Sequence, residues 1–390
     1  MGTGILSSIS SSTFTESFIT SRHRAYYLAQ AGRKYATMFI YNYGAQAAVD
    51  QLSGKEFNVA EGNKFYLSLT KDESRTYVES TGIVGKNNAA EAKQKVKFTV
   101  ESVRFSKEVF GVETISVSSR AFIDSYDSRL GPYSTTNMAQ DAVVQSILIS
   151  SGAITVMKDG AIYGNAVCGV NCGSAGNPPI TSAITIYGTL TGTRSAALST
   201  PVVDPVEIPA GGEIYPSVSN PRITTTTTLG VTGETRLYRT GEIFFTKTPT
   251  KILTIRGKVT LVVDDTLAVT NPGNVSMDSG KIFIEPGGEL FMYVTRTLTL
   301  LGNSIINPPC RDLPYPCASP SPATSARILG IQTTNLNFSG ASETWGGVNA
   351  PGAVFALASE SKLYGTVVAR TITLSGAKTG CAMHVDKSFA

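Results

Sequence analysis

A short phrase, apolar-Thr-apolar-x-Gly, recurs along this chain as Ile184-Thr185-Ile186-Tyr187-Gly188, Leu253-Thr254-Ile255-Arg256-Gly257, Leu298-Thr299-Leu300-Leu301-Gly302 and Ile372-Thr373-Leu374-Ser375-Gly376, with a looser copy from Leu336 to Gly340. Alternation with a period of two, β-branched residues and a closing Gly specify a strand followed by a turn. From Lys251 to Pro309 such runs follow one another with few charges interrupting them. Repeated phrases of this kind fit stacked coils, each coil supplying strands that bond to the coils above and below. Their spacing is irregular, and an ordinary β-sandwich or sheet accommodates the same runs.

Two Pro-rich inserts interrupt the pattern, at 200–221 and 307–322, and both read as loops leaving the stack. Ahead of it the periodicity changes. Phe14, Phe18, Ala25, Leu28, Ala29, Gly32, Tyr35, Ala36 and Phe39 recur at three- and four-residue steps, which predicts a helix from Phe14 to Tyr43. Thirty residues of helix span roughly 45 Å, more than a domain of this size needs. Its small residues suit close approach of another backbone. One reading packs the helix on its own sheet; a sharper one packs its first half, through Phe14, Phe18, Ala25, Leu28, Ala29 and Gly32, against other chains. Strand patterns at Phe65–Leu69, Tyr77–Val84 and Val96–Val100 complete an α+β unit. The expected organisation is therefore residues 1–110 as helix and small antiparallel sheet, 111–150 as a junction, and 151–390 as a repetitive, mainly β domain of β-helix or solenoid type.

The motif Arg24-Ala25-Tyr26-Tyr27-Leu28-Ala29-Gln30-Ala31-Gly32 resembles the A-x-x-A-E-A-G phrase of minor pilins of the PilX type, from type IV pilus and pseudopilus systems, with Gln30 where Glu is usual. Val78 to Gly85 is similar to the Ser-Thr-Gly strand of their sheet. Ile123-Asp124-Ser125-Tyr126-Asp127-Ser128-Arg129-Leu130-Gly131-Pro132-Tyr133 resembles their junction with a Gly-rich β-domain, and Ile372 to Gly376 with Met383-His384-Val385-Asp386 resembles the close of that domain. The resemblance implies an exported envelope or surface subunit that assembles with other pilin-like subunits through the helix. It also implies inner-membrane contact only through a hydrophobic segment that this sequence lacks, and display of the β-domain for priming or adhesion, with a surface glycan as a possible ligand.

Chemistry is sparse. The formal net charge of +4 over 390 residues is too small to argue for nucleic acid, and no arginine-rich or aromatic-basic recognition element appears. The two histidines, His23 and His384, are far apart in sequence and read as a helix residue and a strand residue. Asp264-Asp265 is the one paired carboxylate on a strand edge. It lacks the Gly-His-Gly and Arg-x-Lys phrases of pectin-degrading β-helix enzymes, and a tight turn accounts for it. Trp345 sits in a loop-like stretch and reads as folded over an end of the stack, a sugar contact being the alternative. Cys168 with Cys172 and Cys310 with Cys317 are close pairs suited to disulfides, with zinc the alternative, and Cys381 stands alone. No catalytic residue, metal or cofactor is expected. The reading is a non-catalytic structural subunit; a secreted carbohydrate-binding or carbohydrate-active β-helix protein is the alternative, and a self-polymerising scaffold a third.

Overall fold

The computed structural model describes residues 2–43, 45–71, 75–86, 89–101, 108–134, 136–198, 201, 203, 206–308, 325–331, 335–377 and 380–389. Side chains are described from residue 20 on, other than 41–43, 45–47, 75, 86, 89–91 and 100–101. Phe14 and Phe18 therefore lie outside the described side chains, and Cys310 and Cys317 outside the described residues. The chain divides into two units: Met1–Arg104 with Pro201–Pro205, and Phe105–Thr200 with Val206–Ala390.

In the first unit, helix α1 (Gly2–Tyr43) and the short α2 (Ala45–Leu52) accompany an antiparallel sheet of β1 (Lys55–Ala60), β2 (Asn63–Lys71), β3 (Arg75–Lys86) and β4 (Ala89–Glu101) in sequential order. Ala25, Ala29, Ala36 and Ile40 are fully buried and recur at helical spacing along one line. Their small size brings the helix backbone onto β3. A Cβ at Gly82 would overlap the Ala25 carbonyl oxygen, and one at Gly32 would meet the Ser80 hydroxyl and the Phe65 ring. Below this contact Ile40, Leu52, Leu67, Leu69 and Val78 share one core, and Phe57 stacks on Phe65 with centroids 5.1 Å apart. Ala25, Leu28, Ala29 and Gly32 thus seat the helix on its own sheet.

The second unit contains, among the described residues, one mostly parallel sheet of 28 strands. The expected class, an α+β pilin-like unit with a long helix followed by a β-helix or solenoid, is corrected by this: the chain is mostly β, and the helix is a minor element beside one large parallel sheet. The physical reason lies in the Thr phrases, which pair into shared ladders, mostly through intervening strands, instead of serving separate local sheets. Ile184 pairs with Ile154, Ile154 with Ile115, and Ile115 with Ile372. Leu298 likewise lies between Val275 and Leu336. Alternate residues of each phrase point into a continuous apolar core, which a one-residue slip would expose.

Most strands of the large sheet pair with strands two to four further along the chain, and the last strands pair with the first. The strands β5 (Glu108–Gly111), β6 (Ile115–Ser118) and β7 (Phe122–Tyr126) begin the unit, and strands between Ala142 and Cys168 pair with one side of them. After Arg194–Ala196 the next described strands are Glu213–Ile214 and Arg222–Ile223, which pair with Tyr238–Arg239 and Glu242–Ile243, and the strands that follow pair in the same stepped way. Its last two strands, Val367–Gly376 and Ala382–Asp386, pair with the free side of β5, β6 and β7. Residues 111–150, read as a junction, are thus the first strands of the large sheet.

Gly82→Val should place a branched side chain against the helix backbone and loosen the first unit by about 1–3 kcal/mol. Hydrogen exchange of the α1 amides between Ala25 and Ile40 should accelerate accordingly, while the second unit stays unchanged.

Candidate functional site

Where the last strand meets β7, an aromatic and acidic cluster is buried. The register aligns Trp345 with Tyr364, Tyr364 with His384, and His384 with Asp124. Strand spacing of about 4.8 Å puts flat side chains at one ladder position within stacking range. Trp345 and Tyr364 are parallel at 3.7 Å, Tyr364 and His384 stack at 4.7 Å, and Tyr133 closes over His384 at 3.7 Å. Trp345 is therefore inside the ladder on Tyr364, with 7% exposure, and not folded over an end.

The ring column ends on a carboxylate. His384 Nδ1 lies 2.6 Å from Asp124 Oδ1, and the Tyr133 hydroxyl donates to Asp124 Oδ2 at 2.8 Å. His384 is 3% exposed and Asp124 0%, so this pair is closed off from solvent. Two strands separated by 260 residues in sequence are joined here by an acid and a base.

Three further contacts cross the same seam. Asp386 Oδ1 accepts from the backbone N–H of Ser128 and of Ser388, both at 3.0 Å. Asp141 takes a hydrogen bond from Ser125 and an ion pair from Lys387, each at 2.5 Å. Burial pushes the Asp141 carboxyl up, but Lys387 and Ser125 outweigh it and hold the group below the usual carboxylate range. Ser128 and Ser388 share a hydroxyl contact at 2.7 Å. Burial, and then the Asp386 charge, push the Tyr126 phenol well above its ordinary range, so it stays neutral. The buried, hydrogen-bonded arrangement joins the two strands; structurally it is a clasp.

Asp264 belongs to a second clasp in the second unit. Arg239 pairs with the Asp264 carboxylate while donating to the carbonyls of Gly211 at 2.5 Å and Pro209 at 2.6 Å. The Thr266 N–H and hydroxyl also donate to Asp264, at 2.8 and 2.7 Å. Asp264 therefore makes a turn, as its sequence suggests, and also holds the Pro-rich insert down through Arg239. Asp265 pairs more loosely with Arg296, at 3.4 Å. Cys168 and Cys172 form a disulfide. Cys381 is buried, with its thiol pushed up to about 11 by that burial. His23 is exposed on α1 and far in sequence from any of these groups.

Residues 223–390 match the model of a family described only as a domain of unknown function, DUF7305. The clasp straddles its boundary: His384 and Asp386 lie inside the match, Asp124 and Tyr133 outside. No curated protein matches the chain. Among solved structures, the competence-associated pilin ComZ from Thermus thermophilus is similar at 15% identity over 94% of this chain and 91% of that one, with a TM-score of 0.22. A score that low does not establish a shared fold.

Breaking the buried pair should cost about 3–5 kcal/mol, because each partner leaves the other uncompensated. His384→Ala and Asp124→Ala should each lower the unfolding midpoint of the second unit, and the double variant should cost less than the sum of the two. For Asp264, burial pushes the carboxyl up, but Thr266 and Arg239 hold it below the usual range. A depressed carboxyl stabilises the fold above its unfolded pKa of about 4, and the contribution is lost as pH falls through the folded value. The Tyr215 amide, bonded to the Arg239 carbonyl at 2.8 Å, should thus stay protected down to about pH 4 and lose protection below it; in Asp264→Asn that dependence should vanish.

Proposed function

We propose that the protein is a non-catalytic structural subunit of a surface assembly of the type IV pilus or pseudopilus kind, exported to the cell envelope. It joins pilin-like subunits through the leading part of α1 and displays the large β unit for priming or adhesion. The observation that carries this reading is the position of the helix seat: α1 runs from Gly2 to Tyr43, and among its described side chains the first buried one is Ala25, preceded by the exposed Arg22, His23 and Arg24.

Other features agree with this role. The phrase from Arg24 to Gly32 resembles that of PilX-type minor pilins and falls at the start of the seated segment. The Cys168–Cys172 disulfide suits an oxidising compartment outside the cytoplasm. The His384–Asp124 pair, a base beside an acid, is spent on joining strands. Among the described residues no helix is long and apolar enough to cross a membrane.

Single cysteines introduced between residues 5 and 19, followed by oxidation in cells, test the assembly role. A disulfide-linked species containing a pilin-type subunit should appear in the sheared surface fraction. Monomer at every position would overturn the reading. So would turnover of a polysaccharide by the purified protein that is lost in Asp264→Asn without loss of fold.

A further inference from the structure

The strand β4 closes one side of the four-stranded sheet. It pairs with β3 from Arg75–Glu101 to Lys86–Ala89, and no described strand pairs with its other side. An edge strand turns alternate backbone N–H and C=O groups outward, a template for one more strand. On β4 that template is flanked by positive charge. Lys93, Lys95 and Lys97 are exposed along one face, and no carboxylate occurs between Glu91 and Glu101. Lys95 and Lys97 share one acid, Glu79, at 2.5 and 3.3 Å.

The helix adds charge on the opposite face of the same edge. Between Glu16 and Asp50 the sequence has no Asp or Glu, while Arg33 and Lys34 are exposed on α1. Two open depressions lie between helix and edge. One, of about 570 Å³, is lined by Gln30, Arg33, Lys34, Thr37 and Phe98; the other, of about 320 Å³, is lined by Arg22, His23, Tyr26 and Gln94. Neither has an acidic wall.

We propose that β4 accepts an extended acidic segment of another polypeptide as a fifth strand. Side chains of an added strand alternate between the two faces, so acidic residues at successive positions would meet the lysines of β4 on one side and Arg33 and Lys34 on the other. A second copy of β4 is a poor occupant, since its lysines would oppose those already there. The inference concerns the edge itself and does not depend on the assembly role.

The test is fluorescence anisotropy of the full chain with a labelled nonapeptide of alternating Glu and Thr, beside an alternating Lys and Thr peptide and an acidic peptide N-methylated at every second residue. The acidic peptide should bind and weaken at least about tenfold between 50 and 500 mM salt, as screening of exposed charge requires. The Lys peptide should not bind. The N-methylated peptide, unable to donate to the edge, should bind at least about tenfold more weakly. The double variant Arg33→Glu with Lys34→Glu, checked for an unchanged thermal melt, should lose the acidic peptide. Equal binding of the N-methylated peptide would reduce the site to diffuse attraction and overturn the proposal. Failure of the acidic peptide to bind would also overturn it, leaving the lysines as guards against self-pairing.

Discussion

The structure depends on the parallel pairing of its last strands with its first ones. β5, β6 and β7 lie within the large sheet, with strands from 142–168 on one side and strands from 367–386 on the other. Backbone groups on the second side have no partner until the C-terminus arrives, and unpaired buried groups are costly. Contacts separated by some 260 residues are slow to form and are not rewarded until the loop between them is organised. The chain places its most specific side chains at that point. Apolar strands alone would pair in several registers, whereas the His384–Asp124 pair, the Asp386 bonds and the stacked rings are satisfied in only one.

The two units reach close packing by opposite means. In the first, Ala25, Ala29, Gly32 and Gly82 remove bulk so that helix and strand backbones touch. At the seam of the second, the largest rings fill a column set by the strand spacing. The Arg239–Asp264 clasp adds a third device, a cation that holds loop carbonyls where prolines prevent strand pairing. Each sets specific groups against a defined partner in a chain with only 16% charged residues.

Much of this was legible in local patterns. The Thr phrases are strands because alternation, β-branching and a terminal Gly act within a few residues, and the Ala and Gly stripe on α1 marked a close backbone contact. What it contacts was not legible, because a stripe of small residues suits the chain's own sheet as well as another chain. The fold class was misjudged because strand periodicity does not say which strands pair, and here most of them join one sheet. His384 read as an ordinary strand residue for the same cause. The motifs at Ile123–Tyr133 and Met383–Asp386 each stood out, but nothing local says that one lies on the other. Asp264 looked sufficient as a turn because its partner Arg239 is 25 residues upstream.

The most direct test of the central claim is native-state hydrogen exchange of β7 and Ala382–Asp386, compared with the interior strands between Ile252 and Leu301. If the seam closes the large unit into a single cooperative body, amides on both sides of it exchange only through global unfolding, with the same free energy as the interior strands. Exchange of β7 and Ala382–Asp386 at a distinctly lower free energy, while the interior strands remain protected, would contradict the account.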